Sequence, residues 1–202
     1  MKRFLFGLLA FSLILCGTTV HASIHTIDFE SDTIGEKSNG FVSNDSALVA
    51  FSDSLTPPDG LRIEDFGFQS DGQGLGVFGD DESELILDFA VTVDALSLEF
   101  GNDDPFFSNE GDRAVLTVFD GAVQVGQTSV VLNRNDILDQ SISFSGVQFN
   151  RATFLYDVST DGLIEIVDNI QFNTVDAVPE PTALLIWSGF AAVLVTGRRR
   201  KK

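Results

Sequence analysis

This chain is poor in the residues that do nucleophilic, redox or soft-metal chemistry. It has one cysteine, two histidines, one tryptophan and one tyrosine in 202 residues. Cys16 and His21 fall near the start and Trp187 near the end, so the long middle keeps only His25 and Tyr156. A zinc site built from His and Cys is therefore excluded there. A Ser-His-Asp triad would have to recruit His25, two positions from the expected mature N-terminus. No disulfide can form, so stability must come from the core, from bound ions, or from both. No indole is available in the middle to stack on a sugar ring. Gly72-Gln73-Gly74-Leu75-Gly76 lacks the following lysine and helix of a phosphate cradle.

Positive charge is scarce as well. Of the twelve Lys and Arg, Lys2 and Arg3 open the chain and five close it, which leaves five in residues 23–177. Of the thirty acids only Glu180 lies outside that stretch, which leaves 29 and a net charge of −24. Nucleic acid and anionic lipid are poor partners for such a surface. Divalent cations, cationic polymers and neutral sugars suit it better.

The two ends read as addresses. Met1-Lys2-Arg3, the apolar run 4–15 and Val20-His21-Ala22 before Ser23 have the order of a signal peptide spanning 1–22. At the other end Val178-Pro179-Glu180-Pro181 precedes an uncharged apolar run, 182–197, and then Arg198-Arg199-Arg200-Lys201-Lys202. A helix rises about 1.5 Å per residue, so this run is short for a hydrocarbon core of about 30 Å. The terminal cations can snorkel to recover part of the shortfall, and they place that end on the cytoplasmic side. A buried C-terminal helix is the alternative, and five closing cations weigh against it. The tail 178–202 resembles the PEP-CTERM sorting signal of Gram-negative bacteria. The resemblance implies export, transient holding in the inner membrane as a transmembrane helix, and cleavage near Pro-Glu-Pro by an exosortase-type enzyme. The product would reach the cell surface or the extracellular matrix.

Residues 23–177 alternate with period two. Leu85, Leu87, Phe89 and Val91 share one face, as do Leu96, Leu98 and Phe100, then Ala114, Leu116 and Val118, then Ile142 and Phe144. Gly, Asp, Asn and Pro punctuate the intervals, for example Pro57-Pro58-Asp59-Gly60 and Asp161-Gly162. About ten short strands with no convincing helix predict an all-β antiparallel sandwich, with a jelly roll as the expected form. Fifteen phenylalanines fall in this region and most are expected in the core. Phe106-Phe107 break the alternation. They either cap the end of the sandwich or form an exposed apolar contact.

Asp168 is the chemical anomaly. Ile164, Ile166, Asp168, Ile170 and Phe172 share one parity, and a buried carboxylate without a partner is costly. A bulge turns it outward, an Arg such as Arg151 pairs with it, or a cation binds it. The opening strand carries Asp28-Phe29-Glu30 and then Asp32. Phe29-Glu30 at one end and Val167-Asp168-Asn169-Ile170 at the other resemble the jelly-roll carbohydrate-binding-module superfamily. In that superfamily a structural calcium often ties the first and last strands together. The resemblance implies Ca2+ held by Glu30 and Asp168, although strict parity sets the two on opposite sides of the sheet. Two acidic knots, Asp80-Asp81-Glu82 with Glu84, and Asn102-Asp103-Asp104 with Glu110 and Asp112, are expected to be solvated loops or second cation sites.

These features predict an exported, non-catalytic surface or matrix protein, calcium-stabilised and able to bind exopolysaccharide. A glycan-active hydrolase using two carboxylates is the alternative, and no spacing selects such a pair.

Overall fold

Two long bent strands organise the molecule. The computed structural model describes residues 23–55, 60–70, 72–79, 83–158 and 163–175. The leader 1–22, the motif 178–181, the apolar run 182–197 and the basic end 198–202 lie outside the described residues. So do Asp80, Asp81 and Glu82. Among the described residues there are ten strands and a single 3-10 turn, Gly67–Gln69. None of their helices is long and apolar enough to cross a membrane. The strands are β1 (Ser23–Ile27), β2 (Gly35–Lys37), β3 (Val49–Asp53), β4 (Gly60–Asp65) and β5 (Gln73–Phe78). They continue as β6 (Leu85–Gly101), β7 (Arg113–Asp120), β8 (Val123–Val131), β9 (Gln140–Asp157) and β10 (Glu165–Thr174).

Every pairing is antiparallel. β6 has 17 residues and β9 has 18, longer than the short strands expected. Their mutual register shifts between Asp88 and Val93 and again between Val93 and Ala95. Such irregularities bend a strand without ending it, and Ala90 at the bend is exposed. Each long strand thereby serves two layers. One layer contains β3, the first half of β6, the second half of β9, β7 and β8. The other contains β2, β4, β5, β10 with β1, the second half of β6 and the first half of β9.

The alternating apolar residues fill the space between the layers. Phe100 meets Phe154 with ring centroids 5.5 Å apart, Phe89 meets Phe172 at 5.2 Å, and Phe29 meets Phe51 at 5.6 Å. Phe29, Phe51, Phe100, Phe149, Phe154 and Phe172 are fully buried. Packing of aromatic faces and edges at these distances accounts for a core rich in phenylalanine. Tyr156 packs among these rings, and its buried hydroxyl donates to the Gly101 carbonyl. Burial pushes that hydroxyl well above its ordinary pKa, with Glu165 and Asp103 adding to the effect.

The first and last strands are neighbours. Ser23 pairs with Thr174 and Ile27 with Ile170. Phe106 is 90% exposed and Phe107 47%, so this pair does not cap the sandwich. Asp104 forms the turn that presents them, accepting from the Phe106 N–H at 2.7 Å and the Phe107 N–H at 3.0 Å.

Candidate functional site

The first and last strands of the folded region adjoin a break in the sheet pairing. One edge of β10 runs along β6. Its other edge is shared in series: Glu165–Val167 pair with Val77–Leu75 of β5, and Ile170–Thr174 pair with Ile27–Ser23 of β1. Asp168 and Asn169 lie at the hand-over. Between Asp168 and Gln171 the register against β6 slips, from Glu99 to Ser97, so β10 carries one extra residue there. Asn169 adopts φ 46°, a left-handed conformation that asparagine tolerates better than most residues.

This bulge corrects the sequence-based parity. Val167, Ile170 and Phe172 face the core with Phe100 and Leu96. Asp168 instead lies opposite Glu99 on the other face of the sheet. It is nevertheless only 3% exposed, and one carboxylate oxygen accepts the Asn169 N–H at 2.6 Å. The Asn169 side chain donates to Glu99 at 2.9 Å. Arg151 is not its partner. That guanidinium is held by Asp88 across the β6–β9 pair, at 2.6 and 2.9 Å.

Glu30 arrives at the same break from the other direction. After β1 the chain turns at Phe29, whose φ of 58° is unusual for a bulky residue. Asp45 holds the turn by accepting the N–H groups of Asp28 and Phe29 at 3.2 and 3.0 Å and the Ser31 hydroxyl at 2.6 Å. Burial opposes ionisation of Asp45, but these donors together lower its pKa below the ordinary value. Asp28 and Asp32 are absorbed locally, Asp28 by the Glu30 N–H and Asp32 by Ser43 and Asn44. Glu30 reaches further. Its Oε1 accepts the Gln73 N–H at 2.7 Å, and its carbonyl accepts the Gln73 amide at 3.2 Å. The approach is so close that a Cβ on Gly72 would stand 1.7 Å from Oε1, so a side chain there would displace this carboxylate.

One atom at this junction is left over. Gln73 Oε1 is buried and accepts no hydrogen bond. A buried carbonyl oxygen beside a carboxylate is costly unless a donor or a cation satisfies it. Among the described residues no three His, Cys, Asp or Glu side chains converge as a metal cluster. A cation at this place would therefore draw on amide and backbone oxygens as well as Glu30 and Asp168, a donor mixture that suits calcium.

A second feature lies on the outer face of the same layer. Cross-strand pairing stacks Ser97 with Ser143 and Gln171, and Ala95 with Ser145 and Asn173. Together with Ile24 these side chains border a shallow groove of about 200 Å³. No charged side chain lines it. Sequence reasoning did not find this groove, because its members come from four strands and each reads alone as an ordinary outward polar residue.

Within the acidic knot at 102–104, Asp103 does not lie in solvent. Asp103 is fully buried. Its carboxylate accepts three successive backbone N–H groups, from Arg134, Asn135 and Asp136. Asp136 nearby has its pKa raised, first by burial and then by Asp104 and Asp103, against a lowering bond from Gln69. His25 packs its ring on Phe172 at 5.1 Å.

No protein-family model matches the chain, and no curated protein matches it. Several solved structures are similar to it at low identity. The family 32 carbohydrate-binding module of C. perfringens NanJ, in complex with galactose, is 6% identical with a TM-score of 0.42, over 75% of this chain and 99% of that one. The CBM22-1 xylan-binding domain of Paenibacillus barcinonensis Xyn10C is 12% identical with a TM-score of 0.46, over 80% of this chain and all of that one. The arabinose-bound MgGH51 α-L-arabinofuranosidase is 13% identical with a TM-score of 0.45, over 72% of this chain but only 25% of the enzyme.

Proposed function

We propose that this protein is an exported, non-catalytic surface or matrix component whose jelly-roll-like sandwich binds neutral polysaccharide along the outer groove. The observation that carries this reading is the lining of the groove. Hydroxyls and amides of Ser97, Ser143, Ser145, Gln171 and Asn173 line it beside Ala95, Leu96, Phe144 and Phe172, with most of its exposed surface apolar and no charge present, on a region with 29 acids and five bases. Such groups exchange hydrogen bonds with sugar hydroxyls at little desolvation cost, whereas a charged lining would prefer water. Ile24, 70% exposed at the rim, offers an apolar surface to the C–H face of a sugar ring.

Calcium belongs to the same proposal as a brace. Glu30 and Asp168 would hold it at the junction of β1, β5 and β10, with Gln73 Oε1 as the neutral donor. The ion would neutralise the junction and tie the two ends of the sandwich together. Export through the leader 1–22 and sorting through the tail 178–202 by an exosortase-type enzyme complete the reading. Their support is the order of charged, apolar and Pro-Glu-Pro segments in the sequence.

Affinity electrophoresis of the full chain through gels of neutral and of anionic polysaccharides tests the groove. Retardation is expected in at least one neutral gel, with Ser143→Glu weakening it tenfold or more. The reading fails if no neutral polysaccharide retards the protein, or if Ser143→Glu binds as wild type does.

A further inference from the structure

The acidity of this protein stops at one side of the sandwich. From Gly121 to Asn133 there is no charged residue, and from Gln140 to Asn150 there is none either. The first stretch contains β8, which pairs only with β7 among the described strands and ends the strand order of the sheet. The second contains the first half of β9, which pairs with β6 on one side. These two edges are neighbours. The Phe144 ring sits against β8 at Gly126, where a Cβ would stand 2.0 Å from it. One side of a strongly acidic sandwich is thus formed by strands without acidic residues, and among the described residues the single cation that reaches onto β8 is Arg113 of β7, which donates to the Ser129 hydroxyl at 2.8 Å.

The other edges are closed or short. β2 has three residues, including Glu36 and Lys37, and Lys37 reaches back to the Thr33 hydroxyl at 2.9 Å. The outer edge of β3 is covered by the chain at 40–41: Gly40 donates to the Phe51 carbonyl at 2.9 Å and Phe51 donates to Phe41 at 2.7 Å. β1 has five residues, and Asp45 occupies the N–H groups that follow it. β8 runs for nine residues with no charge and no proline. Its residues Val123 and Val131 are 65% and 46% exposed. Soluble β-proteins ordinarily blunt such an edge with charge, proline or brevity, because its outward N–H and C=O groups template another strand.

We infer that β8 is a docking edge for a second copy of this chain, which adds its own β8 antiparallel to form one continuous sheet. Charge selects this occupant and this edge. Adjacent strands lie about 4.8 Å apart, so carboxylates on the seam would face their own copies. Two molecules with a net charge of −24 over residues 23–177 can approach this closely only where neither carries a carboxylate. An antiparallel strand paired with its own copy satisfies two-fold symmetry, so the contact closes as a dimer. The outer groove lies on the face of the sheet and stays open in the pair.

Sedimentation of the full chain in detergent, over a range of protein concentrations, tests the inference. Wild type is expected to form a dimer. Gln127→Glu with Val131→Glu, both outward positions on β8, is expected to sediment as a monomer with unchanged circular dichroism. Ile24→Glu on β1 is expected to leave the dimer intact. A monomeric wild type, or a dimer that survives the double substitution, overturns the inference. Should the double variant misfold, amide exchange in the wild-type dimer decides. Every amide in the middle of β8 is expected to be protected, and rapid exchange at alternate β8 residues would place the dimer contact elsewhere.

Discussion

Two buried aspartates, one beside a loop and one in a strand bulge, are held in different ways. Asp103 is fully buried and faces donors: the N–H groups of Arg134, Asn135 and Asp136 all point at its carboxylate. The loop has bent to supply them, with Arg134 and Asp136 both at φ 61°. Asp168 is 3% exposed and accepts the N–H of Asn169, the next residue of the β10 bulge, at 2.6 Å. Glu99 is its cross-strand partner, Glu30 approaches the same break, and the oxygen of Gln73 has no donor. Burial of a carboxylate therefore says little by itself. What supplies the donors, a bent loop about thirty residues away or the strand's own bulge, distinguishes the two sites.

The comparison breaks first at Asp103. Asp103→Ala removes the acceptor of three part-buried N–H groups and is expected to cost roughly 1 to 3 kcal/mol. Because the protein supplies those donors, the loss should be the same in chelator and in millimolar calcium. Urea unfolding under both conditions measures it. A loss confined to calcium-containing buffer would make the two aspartates alike.

Asp168→Ala should behave differently. An ion bound only to the folded state stabilises by about 2.7 kcal/mol at a hundredfold excess over its Kd. That increment is expected in wild type and expected to vanish in the variant, with a far smaller difference between the two in chelator. Equal losses under both conditions would mean that the bulge has already satisfied Asp168 from within the protein.

The smallest effect is expected at Asp136, which borders the Asp103 loop. Its raised pKa means that the folded state holds this proton more tightly. The associated stability is present below the ordinary carboxylate value of about 3.9 and is lost as pH rises through the raised value. Asp136→Asn keeps an acceptor for Gln69 and removes the charge. It should stabilise at neutral pH by a few tenths of a kcal/mol, since the group is only half-buried and solvent screens it in part. The gain should fade in acid. Thermal melts at pH 7 and at pH 3 test this, and a gain that persists at pH 3 would point to packing instead of charge.

The alternation of Leu85, Leu87 and Phe89, or of Ala114, Leu116 and Val118, was enough to place strands and core, because a pleated strand has a period of two whatever surrounds it. Asp168 was legible as an anomaly for the same reason, and an outward bulge stood among its explanations. Its actual face was not legible. One extra residue in β10 moves every side chain beyond it to the other face, and no local signal announces that residue apart from an asparagine able to take a left-handed turn. Asn102-Asp103-Asp104 misled because a run of acids reads as solvated. The donors that bury Asp103 come from a loop some thirty residues later.

Composition and period, then, determined the all-β class, the phenylalanine core, the acid excess and the scarcity of catalytic side chains. Tertiary structure alone decided which residues share a face or an edge. The Ser97–Ser143–Gln171 groove, the meeting of Glu30 with Gln73 and the acid-free side formed by β8 and β9 are products of long-range pairing. Pairing register is set by how whole strands pack against one another, and single residues record it only faintly.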